Sequence, residues 1–385
     1  MILHTLLEYD VLRVVWWLLL GVLLVAFAIT DGFDLGTGTL LPFVARTDLE
    51  RRVVINTIGP VWEGNQVWLV LGGGAIFAAW PLLYAVSFSG FYLAMAAILL
   101  ALILRPVGFK YRSKHTSARW RANWDWALFA GGFVPSLIFG VAMGNVLQGV
   151  PFRLTPELQI FYEGSFFGLL NPFALLCGLV SVAMLVMHGA SWLVLKTGGT
   201  VARRARVIGA WSAVAVLVLF PLAGALLWAY VDGFRITSAL VANGASNPLF
   251  KSVEAHANGA WFANYAAHPW TLAAPLAGLG GALLTLLGLG RRWEKSTMLF
   301  SSLSIAGIVL SVGASMFPFI LPSSIQPQAS LTVWDASSSQ LTLFIMLVCA
   351  CVFLPIIIAY TSWVYKVLWG KVDPTSISDG KSHAY

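Results

Sequence analysis

Residues 339–366 read SQLTLFIMLVCACVFLPIIIAYTSWVYK, and no charged residue interrupts them before Lys366. A helix of about 20 apolar residues covers the hydrocarbon core of a bilayer, so this stretch is long enough to cross with residues to spare. Working back through the chain, eight further runs of this kind are expected, near residues 11–33, 54–79, 84–104, 124–147, 166–192, 208–231, 268–290 and 296–320. The composition agrees. Of 385 residues 59% are hydrophobic and only 10% charged, with a mean hydropathy of +0.82, whereas soluble domains carry roughly 25% charged residues. The expected fold is all-α: a polytopic transmembrane helical bundle of about nine helices, forming a single integral membrane domain over residues 1–385.

The basic residues set an expected orientation. Of 23 Lys and Arg, 19 fall after the first, third, fifth, seventh and ninth runs, from Arg46, Arg51 and Arg52 through Lys366, Lys371 and Lys381. Only Arg13, Arg153, Arg235 and Lys251 lie elsewhere. Loops rich in Lys and Arg stay in the cytoplasm, which predicts a periplasmic N-terminus and a cytoplasmic C-terminus in a bacterial inner membrane. The net charge of +7 is therefore topological and does not point to nucleic acid. Glu8 and Asp10 stand where a signal peptide would have a basic segment, so the first run reads as a retained anchor. Cys177, Cys349 and Cys351 sit in apolar runs and suggest packing, with no disulfide framework or zinc spacing. The longer outer loops are expected near residues 148–165, 232–267 and 321–338, and Ser337 with Gln340 fits a capping box at the start of the last helix. Gly32 with Gly36, and Gly140 with Gly144, have the spacing at which membrane helices approach closely.

Against this background the polar residues inside the runs stand out. Asp31 and Asp34 are three apart at the expected end of the first helix, hence on one face; their plain reading is a solvated helix end. The second run contains Trp62-Glu63-Gly64-Asn65-Gln66-Val67-Trp68. Glu63 is expected about nine residues, roughly 14 Å of helix, past the basic edge. An ionised acid there costs about 2.5–3.5 kcal/mol on insertion scales, so it should be paired, protonated or set along a polar path. Glu63 and Gln66 share a face, with Trp62 beside them, and Asn65 and Gln66 are candidate structural polar groups. Arg105 closes the third run, lies closest to the core among the basic residues that follow it, and is a candidate partner for Asp31, Asp34 or Glu63. Lys110 and Lys114 follow it. Among the histidines only His188 lies inside a run, and without a matched pair of axial ligands the chain is a poor haem carrier. Phosphate-binding loops, dinucleotide fingerprints, nucleophile triads and metal-ligand clusters are not found, so no catalytic residue is assigned to this chain.

At these residues the chain resembles subunit II of cytochrome bd-type quinol oxidases. The shared blocks run over nearly the whole length: Leu12-Arg13, Trp16-Trp17, Thr30 to Gly36, Glu50-Arg51-Arg52, Trp62 to Trp68, Phe77 to Pro81, Phe88 to Tyr92, Arg105 to Phe109, Leu147 to Phe152, Asn171-Pro172, Met316 to Phe319 and Ser330 to Gln340. The resemblance implies an electrogenic terminal oxidase of the respiratory chain that moves electrons from quinol to dioxygen. It implies haems b558, b595 and d on a partner, subunit I, in a heterodimer, with a small single-span accessory subunit beside it. Some members also hold a structural quinone between subunit II helices. The resemblance further implies a polar route from the cytoplasm toward the haems, to which Trp62, Glu63, Lys110 and Lys114 correspond; Asp31 and Asp34 are added from the reading of the residues themselves. Where Glu63 stands the family often has Asp, and where Lys110 stands an acid is expected, which reverses the charge at the route's entrance. The rival reading is a proton-coupled secondary transporter or permease, with Glu63 and Asp34 holding a cation and Gly64 or Gly72-Gly73-Gly74 interrupting a helix.

Overall fold

The computed structural model describes residues 7–257, 259–372 and 374–378; His4, Lys381 and His383 lie outside them. Thirteen α-helices follow one another: α1 (Tyr9–Val44), α2 (Asp48–Ile58), α3 (Trp62–Ala79), α4 (Pro81–Gly90), α5 (Tyr92–Tyr111), α6 (Ala118–Gln148), α7 (Pro172–Lys196), α8 (Gly199–Tyr230), α9 (Ala263–Ala267), α10 (Ala273–Arg291), α11 (Glu294–Met316), α12 (Gln340–Val367) and α13 (Pro374–Ser378). Among the described residues, eight helices are long and apolar enough to cross a membrane: α1, α5, α6, α7, α8, α10, α11 and α12. Eight of the nine expected spans overlap these. The remaining one, 54–79, is split between α2 and α3. Proline lacks an amide donor, and Pro60 falls at the break, just after Gly59, which still has helical angles. Glu63 therefore stands in the first turn of α3 instead of deep in a continuous helix. Gly72-Gly73-Gly74, by contrast, interrupt nothing, since α3 runs through them.

α1 is the hub, packed against α7, α6 and α3, with α11, α12 and α2 at its flanks. Small residues permit this. A Cβ on Gly36 would collide with the Leu185 carbonyl of α7, and one on Gly189 would lie 2.5 Å from the Gly36 carbonyl carbon. Gly140 and Gly144 bring α6 equally close to α7, against Cys177 and Ala174. Both glycine pairs singled out by spacing thus face α7, and α1, α6 and α7 pack against one another.

Each of the long loops at the N-terminal end of the bundle carries one antiparallel ribbon: β1 (Phe152–Leu154) with β2 (Ile160–Tyr162), β3 (Gly233–Ile236) with β4 (Val253–Ala257), and β5 (Phe319–Leu321) with β6 (Leu331–Thr332). Phe234, Trp261 and Phe319 pack together under them. Arg13, fully buried, lies over the Tyr9 ring and donates to Ser337 Oγ, the carbonyls of Ala242 and Gly244, and Ser246 Oγ. Ser337 is thereby engaged away from the helix start; α12 begins after Ser339, whose hydroxyl accepts from the Thr342 amide, so the capping box expected at Ser337 and Gln340 does not form. Lys251 spans the same end, 2.8 Å from Asp335 and donating to the Ser330 carbonyl.

At the opposite end the loops rich in Lys and Arg are joined by ion pairs: Arg51 and Arg112 to Asp125, Arg112 and Arg121 to Asp48, Arg204 to Glu50, and Arg206 and Lys371 to Glu294. Glu50 shows how these contacts act. Thr47 and Glu50 form a capping box at α2, and the carboxylate also accepts from Thr200 and Arg204. Burial alone would raise its pKa, but hydrogen bonds from Thr200, the Arg46 amide, Arg204 and the Thr47 amide prevail and hold it at about 2. A free Glu titrates near ~4.3, so between these values the unfolded chain binds more protons. The stabilisation is complete above about pH 4.3 and is lost as pH falls toward 2. Thermal melts of the purified complex from pH 6 to pH 3 should show a smaller acid-dependent decline in Glu50→Gln than in the wild type; identical pH profiles would show that this carboxylate is not coupled to stability.

Candidate functional site

The site grows from the length of α1. Because that helix continues eleven residues beyond its expected end at 33, to Val44, Asp31 and Asp34 are inside the bundle, 0% and 1% exposed, and not at a solvated terminus. Arg105 of α5, 3% exposed, answers them. Its two terminal nitrogens donate to the two Asp31 oxygens at 3.0 and 2.7 Å, in the fork geometry that makes guanidinium–carboxylate pairs strong. Asp34 Oδ2 is 3.7 Å from the same guanidinium and accepts from Asn65 Nδ2 of α3 at 2.8 Å. Tyr365 of α12 completes the chain by donating to Asn65 Oδ1 at 2.5 Å. Four helices thus supply one connected polar cluster. Trp62 forms part of its wall, packed on Phe109, with the Arg105 guanidinium 6.0 Å from its ring centre.

One arginine balances only one of two ionised acids, and removing ions from water costs several kcal/mol each, so the cluster is neutral when one acid keeps its proton. The unspent hydrogen-bonding capacity is located. Asp34 Oδ1 and Thr37 Oγ1 are buried and have no protein partner. Both residues line a cavity of about 10 Å³ together with Arg105, Phe109 and Leu128. A water needs about 10–15 Å³ and two or more polar partners, so the cavity suits one water joined to an acid.

The residues expected from sequence separate into two groups. Asp31, Asp34, Arg105, Asn65 and Trp62 come together. Glu63, Lys110 and Lys114 are exposed on the surface of the chain, and Arg105 pairs with the two aspartates and not with Glu63. The phase of α3 explains this: Trp62, Asn65, Trp68, Gly72, Ala75 and Ala79 are buried, a 3.6-residue stripe that turns Asn65 inward and Glu63 outward, with Gln66 half-buried between them. Tyr365 and Thr37 were not expected. A tyrosine near the end of an apolar helix reads as an interfacial aromatic, and a threonine in a helix commonly bonds its own backbone.

An axial haem ligand needs a histidine ring nitrogen free for iron, and His188 is the one histidine inside an expected span. It is fully buried, with Nδ1 2.8 Å from Ser301 Oγ and Nε2 2.8 Å from the Ile29 carbonyl. Neither nitrogen is free for iron, so this residue does not fit the group, and no groups of three His, Cys, Asp or Glu among the described residues are placed to hold a metal.

Fold and site together define a polytopic helical membrane protein that keeps an ionised cluster in its interior. Comparison with known proteins narrows the class. The family model of cytochrome bd terminal oxidase subunit II matches residues 12–368. The chain is 49% identical to the cytochrome bd-I ubiquinol oxidase subunit 2 of Escherichia coli over 380 residues, covering 98% of this chain and 100% of that one. It is 48% identical to the probable cytochrome oxidase subunit 2 of Haemophilus influenzae over 379 residues, with the same coverage. The fold matches a chain of the bd oxidase from Geobacillus thermodenitrificans with a TM-score of 0.67 at 16% identity, over 93% of this chain and 98% of that one. The chain belongs to the cytochrome bd terminal oxidase subunit II family. It is a multi-pass inner-membrane subunit of an oxidoreductase complex, which sets the permease reading aside.

Proposed function

We propose that this chain is the haem-free subunit of a bd-type quinol oxidase and carries part of a proton route from the cytoplasm to the haem-bearing subunit I. The basic end of the bundle faces the cytoplasm, the N-terminus the periplasm, and the whole chain acts as one membrane domain. Haems b558, b595 and d belong to subunit I, where quinol delivers electrons and dioxygen is reduced to water. The engagement of both His188 nitrogens supports a haem-free role. A small single-span subunit completes the complex, and a structural quinone is held between helices of this chain.

The observation carrying the proton route is the Asp34 carboxylate, with one oxygen held by Asn65 and the other facing a cavity that suits a water. A carboxyl in such a setting can take up and release a proton, and Arg105 and Asp31 fix its position. Glu63, with Lys110 and Lys114, lies on the surface of the chain, so its part of the route runs along the contact with subunit I. The reversed charge at Lys110 makes Glu63 the acid at that entrance.

Positioned proton-transfer groups contribute about 10²–10⁴-fold to rate. Where an alternative surface route exists, Asp34→Asn in the assembled complex should lower oxygen consumption by about tenfold with unchanged haem spectra, and Glu63→Ala should lower it less. Wild-type turnover in both variants would remove this chain from the proton route and leave it a scaffold.

A further inference from the structure

A second cavity lies at the basic end, distinct from the buried acids. It measures about 170 Å³ and is bordered by Asn56, Thr57, Trp192, Lys196, Tyr365 and Lys371, more than ten times the space one water requires, about 10–15 Å³. It opens where α12 leaves its apolar span, beside Trp369, which is 63% exposed.

Lys196 decides its chemistry. The residue is 8% exposed, yet among the described residues its ammonium has a single hydrogen-bond partner, the Leu368 carbonyl at 2.5 Å, and it lies 5.5 Å from the Trp192 ring centre. No carboxylate among the described residues is within salt-bridge distance. Lys371 differs in that Glu294 already neutralises it at 2.9 Å. An ammonium has three donors, of which the Leu368 carbonyl takes one among the described residues, and a nearly buried charge is costly unless it is paired. The following segment holds the cation in place: the Val372 amide donates to the Lys196 carbonyl at 2.8 Å, which ties the chain after α12 across the end of α7.

We infer that this pocket binds a phosphate group, with Lys196 as its counter-ion. Thr57 and Tyr365 border the same space with their hydroxyl protons already given to the Val54 carbonyl and Asn65 Oδ1, so Lys196 is the donor the pocket offers, and the exposed Trp369 at the end of a membrane helix suits the glycerol region of a phospholipid. Basic pockets between helices on the Lys- and Arg-rich side of a membrane protein are where anionic headgroups are held. The shared chemistry is a phosphate monoanion or diester, supplied by an anionic phospholipid or by free phosphate.

The test uses the whole oxidase complex, washed free of lipid in detergent. Native mass spectrometry and thermal melts are recorded on titration with dioleoylphosphatidylglycerol, dioleoylphosphatidylcholine and inorganic phosphate. The wild type should retain phosphatidylglycerol and gain thermal stability from it. Lys196→Met should weaken its retention about fivefold, the attraction one basic residue supplies to anionic lipid, while Lys196→Arg keeps it. Equal stabilisation by inorganic phosphate in the wild type, lost in Lys196→Met, identifies free phosphate as the source and upholds the site. If the wild type neither retains phosphatidylglycerol nor responds to either phosphate probe, the inference is overturned whether or not the variants fold. The same holds if Lys196→Met binds as the wild type does.

Discussion

Replacing Arg105 with leucine should prevent accumulation of the assembled oxidase. The guanidinium is the one cation in contact with Asp31 and Asp34 among the described residues, and the three side chains are at most 3% exposed. Removing one partner of a buried pair costs about 3–5 kcal/mol, because the remaining charge stays out of water. A protein has a total stability of about 5–15 kcal/mol, so this single change consumes a large part of it. The measurement is the haem absorbance of solubilised membranes together with the amount of this chain on a denaturing gel. Arg105→Lys should be intermediate, since an ammonium keeps the charge but cannot clasp both Asp31 oxygens. Adding Asp31→Asn to Arg105→Leu should restore part of the lost complex by removing the stranded acid. Wild-type amounts of complex from Arg105→Leu alone would show that the acids do not need their cation.

The second large effect is expected from one methyl group. Gly36→Ala places a Cβ against the Leu185 carbonyl, with Gly189 directly behind, and backbone cannot move aside as a side chain can. Overpacking costs about 1–3 kcal/mol, occasionally more, and here the cost falls on the contact between α1 and α7 on which the cluster depends. Asp31 and Asp34 share α1 with Gly36, so a displaced helix also misaligns the fork to Arg105. Gly73→Ala is the matched control, as a Cβ there meets nothing within 4 Å. Melting temperatures of the two variant complexes should differ by several degrees, with Gly73→Ala near the wild type. Equal melting temperatures would mean that α1 and α7 can separate without loss.

Much of this was legible in the residues themselves. Asp31, Asp34 and Arg105 stand out as charges beside apolar runs, but the sequence leaves Arg105 three candidate acids, Asp31, Asp34 and Glu63, and only the structure pairs it with the two aspartates. The glycine spacing likewise gave the helix faces, though not that both pairs meet the same helix. What escaped was phase and register. Gly59-Pro60 is a recognised turn signal, but inside an apolar run it does not by itself announce a break, and a continuous helix there would carry Glu63 inside. Once the break is known, the stripe from Trp62 to Ala79 turns Asn65 inward instead. Tyr365 could not have been found this way, since its role comes from a contact across 300 positions of sequence that no local pattern announces.

The break has an electrostatic consequence of its own. An uninterrupted helix would pass the aspartates as a neutral cylinder, whereas a helix beginning at Trp62 presents its amino end, and Asn65 in its opening turns is bonded to Asp34. The start of a helix carries roughly half a positive elementary charge. Two carboxylates therefore face one full cation and the fraction of another, which leaves a deficit of about half a unit that a single proton shared with the cluster more than offsets.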